Sequence, residues 1–177
     1  LANDLGNLLN RTLNMARKNC AGCVRNVSGE NNSGENLLKG MSLNLGDRVA
    51  DFYEELAFSK ACEAVLALVR AGNKFIDVQA PWSLYKQGQV ETVEQVLYSV
   101  LESVRLASYL LSPIIPNISS AIYQQLGFSI DFNDRLAVDN LTNFATHSIW
   151  GALPANETLA EAQPVFKRLE LLETVPS

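Results

Sequence analysis

The chain has 177 residues, 47% hydrophobic and 19% charged, enough for one domain with a buried core and incompatible with a chain disordered throughout. Its 10 Gly and 6 Pro exclude collagen-like and proline-rich readings, and no apolar run reaches the ~18 residues that cross a bilayer, since Glu102 and Arg105 interrupt the longest candidate. With 14 basic and 19 acidic side chains the net charge is −5, so bulk charge does not grip a nucleic-acid duplex, and any such contact must be a small local patch.

Leu1 to Asn19 reads as an amphipathic helix. Leu1, Leu5, Leu8, Leu9, Thr12, Leu13 and Ala16 share one face at about 100° per residue, and Asn3, Asn7, Asn10, Arg11, Asn14 and Lys18 share the other. A merely solvated stripe is usually built from Glu–Lys pairs, and Asn is a mediocre helix former, so an amide-and-cation stripe is unusual. Because Leu1 falls inside this pattern and no signal peptide is evident, the chain is expected to be a domain of a longer protein. Residues 20–45 have little periodicity and are expected to form a long surface loop.

A second helix is expected from Gly46 to about Leu56. A third starts with Ser59 as its N-cap and ends at Ala80, because the residue before Pro81 avoids the helical region. Cys62, Val65, Leu66, Val69, Phe75 and Ile76 form its inner side. A fourth runs from Thr92, with a Thr92–Gln95 capping box, to Leu111, burying Val93, Val96, Leu97, Val100, Leu101 and Val104. A fifth runs from Asn117 to Leu126, with Gly127 as its stop. Residues 128–177 are more irregular, with a helical turn or two over 139–146 and either extended chain or a last helix start at 165–169. The expected architecture is all-α: a single domain over residues 1–177, a bundle of about five helices.

Catalytic groups are scarce. His147 is the only histidine and has no nucleophile motif near it, and Glu54, Glu55, Glu91 and Glu94 read as helical surface acids. Cys20-Ala21-Gly22-Cys23 is half of a zinc site or a redox pair, but only Cys62 and His147 remain to complete it, so ordinary loop cysteines are the plainer reading. With 3 Cys, an odd number, free thiols in a reducing compartment are expected; the Asn-x-Ser/Thr triplets follow from the high Asn content. No phosphate-cradling glycine loop is present. No catalytic residue and no metal ligand is therefore assigned. By pattern alone, a core or hinge role is favoured over a ligand platform for Trp82, Trp150 reads as a core tryptophan, and a solvated face is favoured for Asn7 with Arg11, spaced i, i+4.

The residues also spell a family. Leu1-Ala2-Asn3-Asp4-Leu5-Gly6-Asn7-Leu8-Leu9-Asn10-Arg11 resembles the opening of the anticodon-binding domain of class I methionyl-tRNA synthetases of bacterial and organellar type. Asn73-Lys74-Phe75-Ile76-Asp77-Val78-Gln79-Ala80-Pro81-Trp82 resembles that family's Asn-Lys-Tyr-(x)5-Pro-Trp stretch. Leu111-Ser112-Pro113-Ile114-Ile115-Pro116 and Leu126-Gly127 match its later helix break and stop, and Val165-Phe166-Lys167-Arg168-Leu169-Glu170 is similar to its ending, with Lys167 in place of a proline. The first motif also occurs in related class I synthetases, and Ala80-Pro81-Trp82 favours the methionine enzyme.

The resemblance implies that Trp82 stacks on the first anticodon base, a cytosine, and that Asn7 and Arg11 hydrogen-bond it. It implies a tRNA(Met) anticodon loop as partner, and an upstream catalytic domain that joins methionine to tRNA using ATP with Mg. It also implies an intracellular place, in a bacterial cytoplasm, plastid or mitochondrion. Asn10, Asn14, Arg17, Lys18 and Lys74 are expected as supplementary RNA backbone contacts. No cofactor and no membrane partner is expected for these residues. The alternatives are the same domain from another class I synthetase, or a helical protein-interaction module using the amide-rich face.

The chemistry suits the expectation. An indole face binds any base, so selectivity must come from groups at the base edge. Cytosine offers two acceptors and an amino donor; the Arg11 fork can meet the acceptors and the Asn7 amide the donor. Uracil reverses part of that edge and would leave a buried group unpaired, at roughly 1–3 kcal/mol.

Overall fold

The computed structural model of the chain describes residues 2–25, 33–134, 143–154 and 158–166. A π-helical turn, Ala2–Gly6, leads into α1 (Asn7–Asn19); then follow α2 (Ser33–Ser42), α3 (Leu45–Glu54), α4 (Phe58–Gln79), α5 (Pro81–Lys86), α6 (Val90–Leu111), α7 (Pro116–Gln125) and the single turn α8 (Phe144–His147). Among the described residues the only β-type pairing is one antiparallel bridge between Cys23 and Thr158. The fold is all-α.

The centre of the bundle is α6, which packs against α1, α2, α4, α5 and α7. Its expected stripe, Val93 to Val104, is fully buried, and so is most of the rest of its circumference. A helix buried all round must hide its polar residues as well. Ser99 and Ser103 do so by donating to the carbonyls of Gln95 and Val100 at 2.9 and 2.7 Å. Ser119 on α7 donates to the Ser108 carbonyl at 2.8 Å, so that two small side chains let α6 and α7 approach closely. Gly72 does the same for α4: a Cβ there would stand 3.0 Å from Leu8 and 3.1 Å from Ser103.

Glu102 and Arg105 form a wholly buried ion pair, Nη2 to Oε1 at 2.7 Å. Isolated buried charges are costly, and these are offset by complete hydrogen bonding. Arg105 also donates to the Tyr123 hydroxyl and to the carbonyls of His147 and Ile149 at 3.2, 2.8 and 2.7 Å, which occupies all five of its N–H donors. Glu102 accepts from the backbone N–H groups of Gly151, Ala152 and Leu153 at 2.7, 3.2 and 2.9 Å. The pair therefore fastens the 147–153 segment to the central helix. Further along, Leu159 donates to the Gly22 carbonyl, Gln163 exchanges hydrogen bonds with the Gln125 side chain, and Phe166 lies over Gly6 at the start of α1.

Three expectations need correction. The stretch 20–45 contains a helix, α2, whose Leu38 is fully buried; packing against α4 and α6 overrides Gly34 and Gly40, both poor helix formers. Ser59 and Thr92 do not cap their helices, which begin earlier, at Phe58 and Val90, without side-chain caps; backbone bonds from Ala61 to Ala57 and from Val93 to Gln89 carry the first turns. As expected, α4 ends before Pro81, with Ala80 outside the right-handed helical region at φ 45°; proline tolerates the first helical position, and a further short helix, α5, starts there. Glu94 is not a surface acid: it is 6% exposed, with the Arg25 guanidinium at 3.3 Å. Gly127 does end α7, at φ +93°. Of the 139–146 expectation only Asn143 onward lies among the described residues, and of 165–169 only Val165 and Phe166, which form a bend.

Candidate functional site

The start of α1 lies against the far end of α4. Asn73 donates to the Asp4 carbonyl at 3.2 Å and to its own helix at Val69 at 3.1 Å. One turn on, Asp77 meets Arg11, Nη2 to Oδ1 at 2.7 Å, with both side chains well exposed. Asn7 stands one turn before Arg11 and is exposed on the same helix. The π-helical turn thus joins α4 through a backbone hydrogen bond and the polar stripe of α1 joins it through an ion pair, while Leu8, Leu9, Thr12, Leu13 and Ala16 bury the other side of α1.

Trp82 follows Asp77 by five residues, a reach of at most about 18 Å for extended chain. The connection is not extended. Ala80 takes the left-handed conformation at φ 45° and ψ 59°, Pro81 is buried, and the N–H of Ser83 returns to the Ala80 carbonyl at 2.7 Å. Leu84 packs inward on the core. These restraints fix the backbone of Trp82 while leaving its side chain 42% exposed. A buried role for this tryptophan is excluded. Trp150 differs: it is half-buried and packs against the core.

The remaining polar residues of α1 are partly engaged within the protein. Asn14 donates to the Asn10 carbonyl and side chain at 2.9 and 2.6 Å. Arg17 pairs with Glu161 at 3.1 Å, tying the C-terminal segment to α1. Lys18 and Lys74 are exposed. Two residues at this surface were not singled out by sequence: Asp77, whose i, i+4 spacing from Asn73 was the available signal, and Tyr85, exposed one turn beyond Trp82.

His147 is 8% exposed, with its Nδ1 3.3 Å from the Tyr123 hydroxyl. Burial, and then the Arg105 charge, push its pKa below the ordinary 6.5, and its ring joins the Arg105–Tyr123 network. Burial pushes the Cys20 thiol up to about 11, which leaves it a poor nucleophile at neutral pH. Cys20, Cys23 and Cys62 are free thiols, and among the described residues no three potential ligands gather to hold a metal ion.

The chain matches a family described as the anticodon binding domain of methionyl tRNA ligase over residues 27–170. It is 58% identical to the methionine–tRNA ligase of Nostoc sp. over 99% of this chain and 32% of that protein. The chloroplastic/mitochondrial methionine–tRNA ligase of Arabidopsis thaliana is 40% identical over 97% of this chain and 27% of that protein. The free-state structure of Mycobacterium tuberculosis methionyl-tRNA synthetase superimposes with a TM-score of 0.82 and 30% identity, over 97% of this chain and 33% of that one. The chain thus spans about a third of the length of the relatives it matches.

Proposed function

We infer that this chain, which belongs to the family of anticodon-binding domains of methionyl tRNA ligase, holds the anticodon loop of tRNA(Met) and reads its first base, a cytosine, with Trp82, Asn7 and Arg11. The exposed indole of Trp82 is the stacking face, and it contributes ~1–3 kcal/mol without regard to base identity. Asn7 and Arg11 supply the discrimination at the base edge. Only one Arg11 contact is committed to Asp77, and an exposed ion pair of this kind contributes ~0.2–1 kcal/mol, so the other donors of the fork can serve a base. Asn10, Asn14, Arg17, Lys18 and Lys74 serve the RNA backbone in a secondary role, consistent with a protein of net charge −5 that relies on one localised patch.

The parent enzyme joins methionine to its tRNA. ATP with magnesium is used there, in a catalytic domain outside these residues, and the role of this domain is to hold the anticodon so that the acceptor end reaches that distant site. Its setting is a bacterial cytoplasm or an organelle, as the cyanobacterial and chloroplastic/mitochondrial relatives suggest. Among the described residues no helix is long and apolar enough to cross a membrane.

The observation that carries the reading is Trp82 itself. A large aromatic is held half in solvent on a backbone fixed by Ala80 and Pro81, five residues from the carboxylate that tethers Arg11. The test is fluorescence anisotropy of the full-length ligase carrying these residues, with a labelled CAU anticodon stem-loop at low salt. Changing the first anticodon base to U is expected to weaken binding about tenfold, and Trp82→Ala to remove most of it. Equal binding of both stem-loops, unaffected by Trp82→Ala, would overturn the reading.

A further inference from the structure

Helix α5 has only six residues, and its two sides differ sharply. Pro81 and Leu84 point into the bundle, Pro81 buried and Leu84 packed on the core beside α6. Trp82 and Tyr85 point outward, each 42% exposed. Val78, just before the Ala80 turn, is 68% exposed, and Lys86 follows Tyr85 in the exposed last turn. Three large apolar side chains within eight residues thus face water next to Lys86. Packing explains Pro81 and Leu84; nothing among the described residues requires an exposed Tyr85.

We propose that Tyr85 is a second stacking face, which takes the nucleotide adjoining the first anticodon base, with Lys86 meeting the phosphate between the two. This rests on the reading of Trp82 given above. Residues three apart on a helix hold their Cβ atoms roughly 5–6 Å apart. Stacked bases along one strand of a duplex are separated by only ~3.4 Å. A strand seated on Trp82 and Tyr85 must therefore be drawn out, which is how proteins take hold of unpaired loop bases. Each ring would then separate its base from the next, and the short helix sets the spacing. Because a phenol ring offers a π-face and no edge code, Tyr85 adds affinity without adding selectivity. The ammonium group of Lys86, one residue on, is suited to a phosphate as a point charge.

The test uses the full-length ligase and four stem-loops: CAU, its first-base U variant, and two CAU versions abasic at the nucleotide before or after the first anticodon base. Tyr85→Ala is expected to weaken CAU and UAU equally, by roughly tenfold, because stacking is sequence-tolerant. Tyr85→Phe is expected to bind like the parent. On the stem-loop lacking the base that Tyr85 holds, Tyr85→Ala is expected to change nothing further, the non-additivity of a direct contact. Lys86→Gln is expected to make the slope of log affinity against log salt shallower by about 0.7, the loss of one single-strand phosphate contact. Unchanged helical signal and melting temperature in Tyr85→Ala exclude misfolding. If Trp82→Ala loses binding while Tyr85→Ala stays within twofold of the parent, the Tyr85 assignment is wrong and the reading of Trp82 survives. A Tyr85→Ala loss that persists undiminished on both abasic stem-loops also overturns it. If neither Trp82→Ala nor the C-to-U change matters, both fall together.

Discussion

Arg11 and Asp77, separated by 66 positions in the chain, meet at 2.7 Å where the first helix crosses the end of α4. The acid that pairs with Arg11, the arginine proposed to read the base edge, is therefore on the helix that leads directly to Trp82. Asp77→Ala is expected to leave stability within ~1 kcal/mol, since both side chains are well exposed. It is expected to narrow the preference for a C-first over a U-first stem-loop, because the guanidinium loses its fixed direction. Paired anisotropy titrations of the two RNAs check this; an unchanged preference would show that Asp77 does not position Arg11.

The buried pair on α6 gives a second prediction. Arg105→Met leaves the Glu102 carboxylate without its counter-charge in a fully buried site and is expected to cost about 3–5 kcal/mol in urea unfolding. Replacing both, as Glu102→Leu with Arg105→Met, is not expected to restore the loss. The N–H groups of Gly151, Ala152 and Leu153 and the carbonyls of His147 and Ile149 would then have lost their partners. A double variant as stable as the parent would refute the view that the pair serves to fasten this segment.

His147 makes stability depend on pH. Its folded pKa lies below the ordinary 6.5, so the unfolded chain binds its proton first. Its contribution is fully present above pH 6.5 and is lost as pH falls from there toward the depressed folded value. The difference in urea midpoint between the parent and His147→Gln should be constant at neutral pH and should shrink between pH 7 and pH 5. A difference independent of pH would mean that the imidazole titrates as it does in the unfolded chain.

Two glycines should respond oppositely to alanine. At Gly46 a Cβ would come within 2.7 Å of both the Ser148 Cβ and the Ser148 carbonyl, part of the fastened segment. Gly46→Ala is expected to destabilise by ~1–3 kcal/mol, outweighing any gain in helix propensity. At Gly40 a Cβ meets nothing within 4 Å, so Gly40→Ala is expected to stabilise α2 by ~0.5–1 kcal/mol. Thermal melts of the two variants distinguish these outcomes.

What the sequence makes legible is whatever repeats along one element. The stripes of α1, α4, α6 and α7 each put enough apolar residues on one face to be read alone, and the i, i+4 spacing of Asn7 and Arg11 follows from helix geometry. Trp82 is the instructive case: local pattern favours a core tryptophan, and only the motif around it points outward. What depends on a distant partner is hidden. Leu38 is buried because α2 packs against α4 and α6. Asp77 matters because α1 crosses there. Glu102 and Arg105 look like interruptions of an apolar run until residues 147–153 are laid across them, and Glu94 looks like a surface acid until Arg25 is seen beside it.

The same pair also sets an order of events during synthesis. The backbone groups that complete the hydrogen bonding of Glu102 and Arg105 lie 42 to 51 residues further along the chain. On the ribosome, α6 and α7 emerge before any of them exist. In a nascent chain that ends at α7 the two charges have each other and Tyr123 but lack five backbone partners, and drying them in that state is costly, so water is expected to complete their hydrogen bonding. The helices can form and associate by then, and the site around the pair is expected to dry only once Leu153 has been added.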